Sequence, residues 1–189
     1  MSHNLPKPLQ GKPFTYNEAC HQGLTQYAIR KLLDAGEIER LERGLYRSVD
    51  EDLSDEELYR LAIKRVGKPA VVCLLSALSY YELTDTIPKQ VWLMVPKEKR
   101  VKSSSIKLYR ARDPQWKIGV VSKDGYSITS LERTIIDALT LKALVSPRFG
   151  VDALKTAISS KKTSTNKILQ IATDFGVKHR VLPYIEALS

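Results

Sequence analysis

Thr25, Gln26, Tyr27, Arg30 and Lys31 crowd one short stretch of the chain, and Arg40, Arg43 and Arg47 follow soon after it. Side-chain amides and guanidinium groups form paired hydrogen bonds to the edges of bases, while guanidinium and ammonium groups neutralise phosphates. These residue types therefore offer recognition of a polyanion, with Gln26 and Arg30 suited to base edges and their neighbours to the backbone.

Such groups read anything only if a rigid element holds them. Thr15 with Glu18 three residues on has the form of a capping box and starts a first helix, which Gly23 ends. Leu24 is an apolar anchor, Thr25 caps a second helix, and Ala28, Ile29, Leu32 and Leu33 repeat at helical spacing on one face. Gln26, Tyr27, Arg30 and Lys31 fall on the wet face near the N-terminal end, where a recognition helix meets a major groove. Gly36 stops that helix. Ile38 and Leu41, then Leu45 and Tyr46, flank the turn Glu42-Arg43-Gly44, a two-stranded ribbon with Arg43 at its tip and Arg40 and Arg47 beside it. This order predicts a winged helix-turn-helix that contacts DNA; a helix pair followed by a hairpin also serves as a protein-interaction module. Residues 1–50 hold seven basic and six acidic side chains, so position rather than total charge carries the prediction.

The chain has 189 residues, 43% hydrophobic and 27% charged, enough for one compact domain or two small ones. No apolar run approaches the ~20 residues needed to span a bilayer, and the first residues lack the apolar core of a signal peptide, so a cytoplasmic protein without membrane contact is expected. Cys20 and Cys73 lie far apart in apolar patterns, where free buried thiols are expected. The net charge of +9 suggests an anionic partner. Residues 86–125 carry ten basic and three acidic side chains, an excess of seven, with Lys97, Lys99, Arg100 and Lys102 in one loop. That loop fits a second nucleic-acid contact, an acidic protein partner or a solvated surface.

The polar stretch near residue 52 predicts a boundary, with a DNA-binding domain over 1–52 and a mixed α+β domain over 53–189. The second part reads as a helix Glu56 to Val66, an apolar run Pro69 to Cys73, and a helical segment from Leu74. A strand follows, with Val91, Leu93 and Val95 on one face and Trp92 and Met94 on the other. Another strand begins at Ile106, and a hairpin with an Asp-Gly turn runs into a helix whose capping box is Thr129 with Glu132. The sequence VSPRFG from Val145 breaks that helix, and helical patterns follow over Val151 to Ile158, Asn166 to Phe175 and Arg180 to Leu188. The fold class is α+β, with C-terminal helices.

Five fragments in this order, RGLY (Arg43 to Tyr46), S-A-L (Ser76 to Leu78), a strand ending in Val95-Pro96 before a basic loop, YRAR (Tyr109 to Arg112) and ITSLERTIIDAL (Ile128 to Leu139), resemble the AbiEi-type antitoxins of abortive-infection toxin-antitoxin systems. The resemblance implies an N-terminal winged helix that binds operator DNA and represses its own operon. It also implies a C-terminal antitoxin domain that counteracts a cognate nucleotidyltransferase toxin of the AbiEii type in phage defence. It leaves open whether the toxin is bound directly or opposed indirectly, and whether the regulator binds as a monomer or cooperatively along DNA repeats. An antitoxin or adaptor acting only through protein binding is the rival reading.

An enzyme is not expected. Glu132 and Asp137 are the best paired carboxylates, but five residues along a helix set them about 140° apart, which prevents convergence on one metal. Arg133 and Asp137 have the spacing of an ion pair along a helix. His3, His21 and His179 are scattered, no phosphate-cradling glycine motif occurs, and no cofactor or metal is expected.

Overall fold

The computed structural model describes residues 5–49 and 54–188. The chain divides into two compact units, Met1–Leu61 with Ser103–Ser105 and Ala62–Lys102 with Ile106–Ser189. The architecture is mixed α+β, with eight α-helices and two sheets among the described residues. The boundary expected at residues 52 and 53 lies outside the described residues.

In the first unit a 3-10 turn, Lys7–Leu9, precedes β1 (Phe14–Thr15), α1 (Tyr16–His21), α2 (Gln26–Asp34), β2 (Ile38–Glu42) and β3 (Leu45–Ser48). The strands form an antiparallel sheet in the order β1-β3-β2. The start of α1 is the reciprocal cap expected from the sequence: Glu18 N donates to Thr15 Oγ1 at 3.2 Å, and Thr15 N donates to the Glu18 carboxylate at 2.7 Å. Leu9, Phe14, Ala19, Ile29, Leu32, Ile38 and Tyr46 make the core, with Leu24 and Leu33 packed on it. Cys20 is exposed, not buried as the apolar pattern suggested, because α1 turns only Ala19 fully inward.

Helix α3 (Asp55–Val66) opens on another reciprocal cap. Ser54 N and Oγ both donate to Glu57 Oε2, at 3.0 and 2.8 Å. Its acidic first turn and basic last turn oppose the helix dipole favourably.

The second unit contains β4 (Val71–Val72), α4 (Leu74–Tyr80), β5 (Val91–Pro96), β6 (Ile106–Ala111), β7 (Val120–Ser122) and β8 (Ser127–Thr129). Four helices follow: α5 (Leu131–Thr140), α6 (Pro147–Ser159), α7 (Thr165–Asp174) and α8 (Lys178–Glu186). The sheet order is β6-β5-β4-β8-β7, with β5 parallel to β6 and β4 parallel to β8. Strand β5 is not dry on one face only. Leu93, Met94 and Val95 are all buried, and since successive side chains point to opposite faces, both faces of the sheet are covered along this part of β5.

Two local expectations need correction. The cap of α5 is Ser130, whose Oγ accepts from Arg133 N at 3.2 Å; Thr129 ends β8, and its hydroxyl bonds Thr134 Oγ1 at 2.7 Å. Glu132 instead accepts a hydrogen bond from the Thr163 hydroxyl at 2.7 Å. The stretch VSPRFG does not break α5, which already ends at Thr140; it starts α6, with Pro147 in the first turn where its missing N–H costs nothing. Gly150 lies inside α6 because the helix crosses α5 closely: a Cβ there would come within 2.8 Å of Ala138 C and Leu139 N.

Helix α5 carries a buried ion pair. Arg133 Nε donates to Asp137 Oδ1 at 2.8 Å, and both side chains are about 2% exposed. Arg133 Nη1 also donates to the carbonyls of Trp116 and Ile118, at 3.3 and 2.5 Å, and the guanidinium lies 3.7 Å from the centroid of the Phe175 ring. Burial pushes the Asp137 carboxyl up from its ordinary pKa, and the Arg133 charge and hydrogen bond oppose that rise. Burial likewise pushes the Cys73 thiol well up, so it stays protonated and inert. Asp137→Ala leaves the guanidinium buried and unpaired and is expected to cost about 3–5 kcal/mol in urea unfolding of the full chain, whereas Arg133→Met with Asp137→Leu costs less than the two single changes added. Strict additivity in that double-mutant cycle would show that the two groups do not interact.

Candidate nucleic-acid interface

Helix α2 is one of the two elements that present the predicted site residues of the first unit. Thr25 caps it, its Oγ1 accepting from Ala28 N at 3.2 Å, so part of the hydroxyl's capacity is committed to the helix start. Ile29 and Leu32 hold the inner face in the core. Gln26, Tyr27, Arg30 and Lys31 all lie exposed on the outer side, and Tyr27 reaches 76% exposure. Positions three and four apart adjoin on a helix surface, so Arg30 neighbours both Gln26 and Tyr27, Lys31 neighbours Tyr27, and the four form one polar stripe. An amide, a phenol, a guanidinium and an ammonium group side by side can satisfy base edges and phosphates together.

The β2–β3 hairpin presents the other three arginines in different ways. Its two-residue turn is Arg43-Gly44, tighter than the three residues expected, and Gly44 adopts φ +80. Arg43 is exposed at the tip, and Arg40 is exposed on the edge strand opposite Tyr46. A register shift between Arg40 and Glu42 bulges β2 at Leu41, which twists the ribbon. Arg47 is partly covered and ion-paired across the strands to Glu39, so its charge is partly neutralised within the hairpin.

In the second unit the four cations of the basic loop separate. Arg100 Nη1 donates to the carbonyls of Lys97 and Lys99, the latter at 3.0 Å, and Arg110 Nε donates to the Lys99 carbonyl at 3.0 Å. Lys97 and Arg100 line a cleft of about 1200 Å³, together with Arg110, Arg112, Lys142 and Arg180. Lys99 turns its ammonium toward Gly67, 3.3 Å from where a Cβ would sit, and Lys102 is exposed; neither lines the cleft. Arg110, Arg112, Lys142 and Arg180 were not among the site residues expected from the sequence. The first two belong to the basic stretch 86–125, but helix packing alone brings Lys142 and Arg180 to it. Glu132 and Asp137 do not converge: one accepts from Thr163 and the other from Arg133. Among the described residues no group of three or more His, Cys, Asp or Glu could hold a metal ion, and no helix is long and apolar enough to cross a membrane.

Comparison with known proteins bears on both units. Residues 9–49 match the family described as transcriptional regulator, AbiEi antitoxin. That segment holds α1, α2 and the hairpin, and ends before the five-stranded sheet. The crystal structure of the RV2827C protein from Mycobacterium tuberculosis aligns with 91% of this chain and 68% of that one, with a TM-score of 0.63 and 14% identity. At that identity the likeness shows the fold alone. No curated protein matches the chain significantly.

The turn that carries Arg43 depends on Gly44. A methyl group there meets no atom within 4 Å, so Gly44→Ala tests backbone conformation without a clash. The left-handed conformation is expected to cost about 1–2 kcal/mol with alanine, read as a lower midpoint of chemical unfolding. Arg43→Ala beside it should leave the midpoint unchanged.

Proposed function

We propose that the chain is a DNA-binding antitoxin that represses its own toxin-antitoxin operon and counteracts a cognate nucleotidyltransferase toxin, acting in the cytoplasm in defence against phage. In this reading residues 1–52 are a winged helix-turn-helix domain, with α2 as recognition helix and the β2–β3 hairpin as wing. Residues 53–189 are the antitoxin domain. The observation that carries the reading is the exposed stripe Gln26, Tyr27, Arg30 and Lys31 on a helix whose opposite face is buried, within the segment that matches the AbiEi regulators. Operator DNA supplies the base edges and phosphates that such a stripe satisfies, and Thr25, Arg40, Arg43 and Arg47 extend the contact to the backbone on either side.

Gel shifts on the DNA upstream of the chain's own gene test the reading. Gln26→Ala or Arg30→Ala is expected to weaken operator binding by about 1–3 kcal/mol and to relax specificity. Equal losses on operator and random duplex would make both residues phosphate contacts. No shift with the unaltered protein, alongside preserved toxin neutralisation, would favour the antitoxin that acts through protein binding only.

The basic loop is assigned to the DNA backbone in the same reading. Replacing Lys97, Lys99, Arg100 and Lys102 by Gln should weaken operator and random DNA alike, and the slope of log K against log salt should fall by about 0.9 for each phosphate that the loop no longer neutralises. An unchanged slope would remove the loop from the DNA interface, and a simultaneous loss of toxin neutralisation would assign it to an acidic protein partner.

A further inference from the structure

The cleft beside the basic loop has features that a DNA backbone contact does not use. Six cations line it against three carboxylates, Glu98, Asp113 and Asp137. Tyr109 and Phe175 contribute flat rings to its walls, and Leu108 and Val177 contribute apolar surface. Asp137, also among the lining residues, is 1% exposed, and while its Oδ1 accepts from Arg133, its Oδ2 is buried with no hydrogen-bond partner. A buried carboxylate oxygen without a donor is costly and uncommon in a folded chain. A ligand that presents an N–H or O–H group there would satisfy it.

We propose that this cleft binds a small phosphorylated molecule with a flat polar body, a nucleoside phosphate. The arginines and lysines would take the phosphates, Tyr109 and Phe175 would pack against the base, and a sugar hydroxyl or base amino group would donate to Asp137 Oδ2. Guanidinium groups suit phosphate oxygens because their forked donors match two at once. Each class of lining group then has a counterpart on one molecule: an acidic peptide would engage the cations but has no need of flat walls, and a phosphate alone would leave the Asp137 oxygen unpaired. The assignment concerns the second unit alone and stands whether or not the first unit binds DNA.

Isothermal titration calorimetry on the full chain without DNA tests it, with ATP, tripolyphosphate and adenosine as probes. ATP is expected to bind at least about tenfold more tightly than either of its parts, the margin that one further charge-assisted hydrogen bond supplies. Arg112→Glu and Lys142→Glu should each weaken ATP by a similar factor, while Lys155→Glu, on α6 outside the cleft, should not. Asp137→Asn should also weaken it; because that change touches the Arg133 pair, its fold is checked by circular dichroism, and Tyr109→Ala provides a second test of the ATP contact. Absence of heat with ATP, tripolyphosphate binding as tightly as ATP, or cleft variants that bind ATP as well as the unaltered chain would each overturn the proposal.

Discussion

A guanidinium group taken out of water constrains the second unit more than any other single feature. Arg133 satisfies itself with Asp137 on its own helix, with the Trp116 and Ile118 carbonyls ahead of β7, and with the face of Phe175 at the end of α7. Three parts of the fold must therefore meet at one side chain. Gly119 follows from the same requirement, since a Cβ there would come within 2.7 Å of Arg133 Cβ. A hydrophobic residue in place of the arginine would fill space but would leave the Trp116 and Ile118 carbonyls without this donor. The pair thus fixes where the β7 segment enters the sheet, and it leaves Asp137, a residue that lines the cleft, with its Oδ2 unpartnered.

Much of the first unit was legible because its signals are local. The Thr15–Glu18 capping box, the Thr25 cap, the periodicity through Ile29 and Leu32, and the glycines that end each helix act within a few residues of themselves, and each is realised. What could not be read was the ion pair of Arg47 with Glu39, because it depends on which residues face each other across the hairpin. The turn length and the bulge at Leu41 set that register. Without them three arginines look equivalent; with them Arg47 is partly neutralised and Arg40 and Arg43 are displayed.

In the second unit element types were legible and their environments were not. The alternation in VWLMV predicted a strand correctly, yet it could not reveal that both faces of the sheet would be covered, burying Leu93, Met94 and Val95 together. A T-x-x-E spacing placed the α5 cap one residue early, because Thr129 was drawn into β8 and bonded to Thr134, which left Ser130 to cap the helix. Gly150 read as a helix breaker but marks a close helix crossing, a distinction that only the partner helix can make. The i, i+4 pairing of Arg133 with Asp137 was foreseen. Its burial was not, since nothing in the spacing distinguishes a surface pair from a buried one.

The basic loop shows how topology changes the meaning of a charge run. Strands β5 and β6 are parallel neighbours, so the chain must travel back along their length between Pro96 and Ile106. A six-residue strand is roughly 20 Å long, and the intervening residues 97–105, fully extended, reach only about 30 Å. That leaves roughly 10 Å of slack. Two guanidinium groups tighten the segment further, Arg100 on the Lys97 and Lys99 carbonyls and Arg110 on the Lys99 carbonyl. A mobile lysine-rich loop would lose conformational freedom whenever it met an anion, whereas here the crossover has already given up much of it in folding. The cations are consequently held in separate directions, Lys97 and Arg100 at the cleft and Lys99 near Gly67, so that one run of basic residues serves distinct surfaces.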